Sequence, residues 1–267
     1  MFIKRFISAV ILLAFAAIAL VTGGDFLLAA SAVVAIGGTY EILKVDSLHK
    51  TPLGAVSYIA AAGYYVMLYL EKQQYFTLWI VFMLILLLTS YVFSYPKYKT
   101  EQMLAAFFAV FYVAVMLSFV YRTRMLPMGT YTVWLIFLCS WGCDTCAYCV
   151  GVLIGKHKMA PKLSPKKSIE GAVGGVVGAA LLAVIYGFVF KDAMGCTTQT
   201  IWFMAGICAV GALISMVGDL TASAIKRNYE IKDYGKLIPG HGGILDRFDS
   251  VIFTAPIIFY LALYFIK

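Results

Sequence analysis

The segment Ser223-Ala-Ile-Lys226-Arg227-Asn-Tyr-Glu230-Ile-Lys232-Asp233-Tyr-Gly235-Lys236-Leu-Ile-Pro239-Gly240-His241-Gly242-Gly243-Ile-Leu-Asp246-Arg247-Phe248-Asp249 is a polar island between two apolar runs, 200–222 and 248–266. Each run has roughly the 20 apolar residues that a helix needs to cross the hydrocarbon core of a bilayer. The island holds five Lys or Arg, one His and four acids, in a chain that is 63% hydrophobic and only 13% charged. Solubility does not explain such a segment there. It reads as a working loop at a membrane boundary, and the fold follows from what flanks it.

Working outward, further apolar runs fall at 6–22, 25–43, 52–70, 75–95, 102–121, 130–154 and 171–190, making about nine candidate spans with 200–222 and 248–266. The mean hydropathy of +0.91 and a charged fraction about half that of soluble domains agree with this count. Spanning β-strands would alternate apolar and polar residues over ~10 positions, and none of these runs alternates. The expected fold class is therefore all-α, a polytopic transmembrane helical bundle. No repeat or linker divides it, so a single integral membrane domain is expected over 1–267, with motif-poor helices over 1–125 and the chemistry over 126–267. Lys4 and Arg5 before an apolar run would also suit a signal peptide; the run continues to Val21, which suits a retained first helix.

With alternating spans and a cytoplasmic N-terminus, sixteen of the twenty-one Lys and Arg residues fall on the cytoplasmic side, leaving Lys72, Arg122, Arg124, Lys191 and Lys267 opposite. That bias follows the positive-inside rule and puts the C-terminus on the far side. The net charge of +8 suits anionic lipid headgroups and a cytoplasmic-face site for anions. No basic helix or aromatic platform stands outside the membrane to bind nucleic acid.

Polar chemistry begins at Asp144, a carboxylate inside the sixth span, where its cost of about 2.5–3.5 kcal/mol marks a functional site. After it comes the basic loop Pro161-Lys162-Leu-Ser164-Pro165-Lys166-Lys167-Ser168-Ile-Glu170-Gly171. The seventh span opens with Gly171, Gly174, Gly175 and Gly178, a strip that lets another backbone approach, either within the bundle or from a second copy. Cys139, Cys143, Cys146 and Cys149 suit either small-residue packing or a soft metal. Glu41 lies near the end of the second span, where it is expected to reach headgroup water.

Asp219 ends the eighth span, and Asp246 and Asp249 begin the ninth, three residues apart and so on one helix face. Carboxylates gathered in this way suit Mg2+, which takes one or two of them and completes its shell with substrate phosphates and water. Lys226, Arg227, Lys232, Lys236 and Arg247 are candidate phosphate contacts. Gly242 and Gly243 can turn backbone N–H groups toward an anion, and His241 either joins them or steadies the turn.

The island, read as Ser223-x-x-Lys226-Arg227, Lys232-Asp233, Gly235, Pro239, His241-Gly242-Gly243 and Asp246-Arg247-Phe248-Asp249, resembles the C-terminal signature of the phosphatidate cytidylyltransferases, the CDP-diacylglycerol synthases. The Asp144 helix followed by Ser164-Pro165-Lys166-Lys167-Ser168-x-Glu170-Gly171 is similar to a second stretch of that family. The resemblance implies transfer of the cytidylyl group of CTP to phosphatidate at the cytoplasmic face of a membrane, and the compact chain suits a bacterial inner membrane. It implies catalytic roles for Asp144, Asp219, Asp246, Asp249, Lys226, Arg227 and Arg247. It implies substrate binding by Ser164, Lys166, Lys167, Ser223, Lys232, Lys236, His241, Gly242 and Gly243. Mg2+ is expected on Asp144, Asp219, Asp246 and Asp249, with a second metal or a monovalent cation left open, and the family together with the glycine strip leaves room for a homodimer. Two other classes remain at this stage: a CTP-dependent polyprenol or phytol kinase, and a transporter coupling a cation through Asp144 and Asp219.

Overall fold

The structure is a computed structural model that describes residues 2–238 and 242–266, with side chains described from residue 10 onward. Its long helices are α1 (Phe2–Thr22), α2 (Gly24–Val45), α3 (Pro52–Tyr69), α4 (Phe76–Phe93), α5 (Thr100–Arg124), α6 (Gly129–Ile154), α7 (Ile169–Val189), α8 (Thr198–Asn228) and α9 (Leu245–Phe265). Among the described residues, seven helices are long and apolar enough to cross a membrane; α3 is not in that set, and α1 enters the comparison only as the shorter apolar stretch Val10–Thr22. In α3 four tyrosines dilute the apolar run. The chain divides into two compact units: Met1–Tyr121 with Asp233–Arg247, and Arg122–Lys232 with Phe248–Lys267.

In the first unit Tyr64 and Tyr65 of α3 are buried and used internally. Tyr64 Oη and Ser118 Oγ lie 2.9 Å apart, Tyr65 Oη donates to the Ala114 carbonyl, and Trp79 Nε1 donates to the Ala60 carbonyl at 3.2 Å. These bonds tie α3 to α4 and α5, and rings of Tyr64, Phe76, Trp79 and Phe111 fill the space between. The helix starts where Thr51 accepts from the Gly54 N–H at 3.2 Å, with Pro52 in its first turn; such a cap satisfies an amide that has no partner in the helix.

In the second unit the glycine strip of α7 lies against α6. A Cβ at Gly178 would meet Cys146 Cβ at 2.6 Å, and one at Gly175 would meet Cys143 Sγ at 2.9 Å and Ala147 Cβ at 3.0 Å. The strip is therefore occupied inside the chain, and the cysteines opposite it act as small packing residues. Cys139 and Cys143 are buried, and among the described residues no His, Cys, Asp and Glu side chains gather in a metal-holding group of three. A wider π-type turn at Leu138–Gly142 interrupts α6 just before Asp144. Ser140 Oγ donates to the Ile136 carbonyl at 2.7 Å, and Cys139 Sγ to the same oxygen at 3.3 Å, so side chains serve this stretch of backbone.

The basic loop is an antiparallel hairpin of β1 (Lys158–Ala160) and β2 (Ser164–Ser168), with Lys158 opposite Ser168 and Ala160 opposite Ser164. Its small ladder was not expected from the all-α reading, because Pro165 and three nearby lysines look like an irregular loop.

Replacing Gly178 by Ala is expected to destabilise the protein by about 1–3 kcal/mol through overpacking against Cys146. The unfolding midpoint in detergent should fall, and the second change Cys146→Gly should recover part of the loss.

Candidate functional site

Three aspartates of the second unit come from three helices. Asp144 on α6 and Asp249 on α9 face a shared hydroxyl: Ser250 Oγ lies 3.3 Å from Asp144 Oδ2 and 3.2 Å from Asp249 Oδ1. Asp249 is buried, and its Oδ1 also accepts from the Ser250 N–H at 2.7 Å. The charges of Asp219, Asp144 and Lys226 all act on it. Gly218 is the reason α9 can come so close to α8, since a Cβ there would meet the Asp249 carbonyl oxygen at 2.9 Å and Phe253 at 3.0 Å. Asp219, the next residue on α8, forms an ion pair with Lys167 of β2.

Beside these aspartates is a cavity of about 570 Å³, lined by Asp144, Asp219, Ser164, Lys166 and Lys167, together with Lys158, Ser168, Tyr148, Val152, Met159 and Met216. Five residues chosen from the sequence thus share one hollow. Its lining is amphiphilic, with lysines and carboxylates on one part and apolar side chains on another. Tyr148 and Val152 are largely exposed on the outer side of α6.

The hairpin that carries the lysines is held by Glu170, in the first turn of α7. Its carboxylate accepts from the Lys156 N–H at 3.1 Å and the His157 N–H at 3.2 Å, and His157 Nδ1 lies 2.6 Å from Oε1. Ser168 caps the same helix by accepting from the Gly171 N–H at 3.1 Å. The Ser168/Glu170 pair therefore sets both ends of the loop, which is a physical reason for those residue types after the Lys-Lys step.

The island residues are distributed as follows. Ser223 is half-buried on α8, and Lys226 and Arg227 stand in its last turn, where cations complement the carbonyl end of the helix dipole. Lys232, Lys236 and Arg247 are exposed. In the first unit, Asp246 is buried, and its Oδ2 accepts from the Tyr234 N–H and the Gly243 N–H, both at 2.9 Å. Gly242 has φ 85°, a left-handed conformation that favours glycine, and its carbonyl accepts from the Ile238 N–H at 2.9 Å. The expectation for His241 falls outside the described residues.

Glu41 corrects the sequence reading. It does not reach water; it is 1% exposed, and its two oxygens accept from the Ile244 and Leu245 N–H groups at 2.9 Å each. Its sequence signal was an acid within an apolar run, one turn after Gly37-Gly38. Ser250 was also missed, since a serine following an aspartate carries no distinguishing pattern.

Asp144 and Asp249 across Ser250, with Asp219 acting on Asp249, offer oxygen donors of the kind Mg2+ takes. Magnesium needs only one or two protein carboxylates when phosphates and water complete its shell, so the donor chemistry fits, although among the described residues no three groups stand ready to enclose an ion.

A sequence model of the cytidylyltransferase family matches residues 3–265. Similar proteins include the phosphatidate cytidylyltransferase of Staphylococcus aureus strain COL, 31% identical over 261 residues, covering 95% of this chain and 96% of the relative. The phosphatidate cytidylyltransferase of Staphylococcus saprophyticus is 30% identical over the same length, with the same coverage. That of Staphylococcus haemolyticus is 30% identical over 179 residues, 67% of this chain and 66% of the relative.

Changing Glu170 to Ala should release the hairpin without unfolding the helices. Tryptic cleavage at Lys158, Lys162 and Lys166 in the purified protein is expected to quicken several-fold, because local opening governs access to the protease.

Proposed function

The chain belongs to the cytidylyltransferase family and is a nucleotidyltransferase, and on that premise we propose that it transfers the cytidylyl group of CTP to phosphatidate, giving CDP-diacylglycerol and pyrophosphate. The observation that carries the proposal is the meeting of Asp144, Asp219 and Lys167 on one amphiphilic cavity, with buried Asp249 tied to Asp144 through Ser250.

A phosphate oxygen of phosphatidate attacks the α-phosphorus of CTP, and the bond to the β-phosphate breaks as pyrophosphate leaves. Both reactants are polyanions, so the site must lower their repulsion and hold the attack in line. Lys158, Lys166 and Lys167 border the cavity and are assigned to the phosphates. Lys167 would exchange its Asp219 partner for a phosphate oxygen. The attacking phosphate is already ionised near neutral pH, so no strong general base is required. Asp144, Asp219 and Asp249 would hold Mg2+, which would supply positive charge against the charge that develops on the departing pyrophosphate. Asp246, Lys226, Arg227 and Arg247 stay candidates on their sequence positions alone.

One substrate is water-soluble and the other lies in a leaflet. The apolar part of the cavity beside exposed Tyr148 and Val152 supports sideways entry of the lipid. The apolar runs support about nine spans, the placement of Lys and Arg supports an N-terminus and active site on the cytoplasmic side with the C-terminus opposite, and the compact chain with its bacterial relatives supports a bacterial inner membrane. A homodimer would need a face other than the α7 glycine strip, which α6 covers.

The test is purified protein in detergent with phosphatidate, radiolabelled CTP and Mg2+, following label into the organic phase. CDP-diacylglycerol is expected, and EDTA should abolish it. Asp219→Asn and Asp249→Asn should each lower turnover about 100- to 1,000-fold. With a polyprenol or phytol supplied in place of phosphatidate, transfer of the CTP γ-phosphate to the lipid hydroxyl with release of CDP, and no CDP-diacylglycerol from phosphatidate, would replace this reading by a lipid kinase.

A further inference from the structure

Three consecutive amides at the end of the polar island are held by two buried carboxylates. The Gly243 N–H goes to Asp246, whereas the Ile244 and Leu245 N–H groups go to the two oxygens of Glu41 on α2. Leu245 is the first residue of α9, and amides at a helix start have no partner within the helix. The residues just before it, Gly243 and Ile244, bring no side-chain acceptor, so the cap comes from a residue 203 positions away.

The surroundings of Glu41 are shaped to this contact. A Cβ at Gly243 would overlap both carboxylate oxygens, and one at Gly235 would overlap Oε1, so two stretches of the island close directly over the charge. One turn earlier on α2, a Cβ at Gly37 would overlap Ile244 Cδ1, and one at Gly38 would meet Leu245 Cδ2 at 3.1 Å. The Gly37-Gly38-x-x-Glu41 face is therefore a seat for Ile244-Leu245 with an anion at its edge.

We propose that Glu41 is a positioning residue for the reaction: its carboxylate fixes the start of α9 and, through the Gly243 turn, the Asp246 carboxylate. Glu41 touches no substrate and acts through the backbone it holds. Its charge and its reach are both used. An ionised carboxylate accepts on two oxygens at once, whereas a glutamine accepts on one and turns an NH2 group toward the other N–H. Aspartate keeps the charge but is one methylene shorter.

The inference rests on the cytidylyl-transfer reading for its kinetic consequence and on geometry alone for the anchoring. The full-length protein in detergent is compared as wild type, Glu41→Gln and Glu41→Asp, with kcat and KM for CTP measured separately and backbone hydrogen exchange followed over 242–247. Both variants are expected to keep the KM for CTP within about threefold while kcat falls about 10- to 100-fold, the loss that a small misplacement of reacting groups produces. Exchange over 242–247 should rise at least about tenfold, with α7 unchanged. If Glu41→Gln does not give a monodisperse protein, Glu41→Asp carries the test. A variant with wild-type kcat, or with unchanged exchange over 242–247, overturns the proposal. A wild-type protein that makes no CDP-diacylglycerol overturns the functional reading instead, and the exchange arm still decides whether Glu41 holds the turn.

Discussion

Every backbone amide and every charge placed in apolar surroundings must find its partner within the protein, because no water is there to supply one. An unmet buried donor or acceptor costs about 1–3 kcal/mol, and a charge more. In this chain the rule accounts for several polar side chains of the apolar helices. Tyr64 meets Ser118, Trp79 meets the Ala60 carbonyl, and Ser140 serves the backbone of the wide turn in α6. The same demand, applied to helix starts, gives Ser168 its amide at α7 and Glu41 its pair at α9.

The second requirement is close approach, since the partners above are short-reaching groups. Where α6 and α7 meet, glycine faces cysteine and alanine, and the two backbones come together without a gap. Where α8 meets α9, Gly218 admits the Asp249 backbone, which places two carboxylates from different helices within electrostatic range of each other. Small residues of this kind bring charged groups together by removing the side chains that would hold the helices apart.

These two requirements explain how much could be read from the sequence. Seven of the apolar runs were legible as helices long and apolar enough to cross a membrane, because runs of that length leave few alternatives, and Asp144 and the Ser164–Gly171 loop stood out as polar chemistry out of place. The β-hairpin was not legible, because its order depends on Glu170 gathering the Lys156 and His157 amides across a turn. Glu41 was misread for a related reason. Hydropathy describes the run that contains a residue, but the partners of Glu41 lie more than 200 positions away, and only the fold brings them to it. Gly37-Gly38 was the one local trace of that contact, visible as a missing pair of side chains one turn before an acid.

The two aspartates that begin α9 show how identical residues receive different work from their surroundings. Asp246 has an oxygen met by two backbone N–H groups, which satisfies a carboxylate and fixes a loop. Asp249 has an amide and a hydroxyl, but the charges of Asp219 and Asp144 also act on it while it is buried. Anions gathered out of water repel one another, and the arrangement calls for positive charge. Lys167 on Asp219 and the nearby Lys226 supply part of it. On the proposed function, the lysines that quiet these aspartates would be the groups that meet the phosphates of the two substrates.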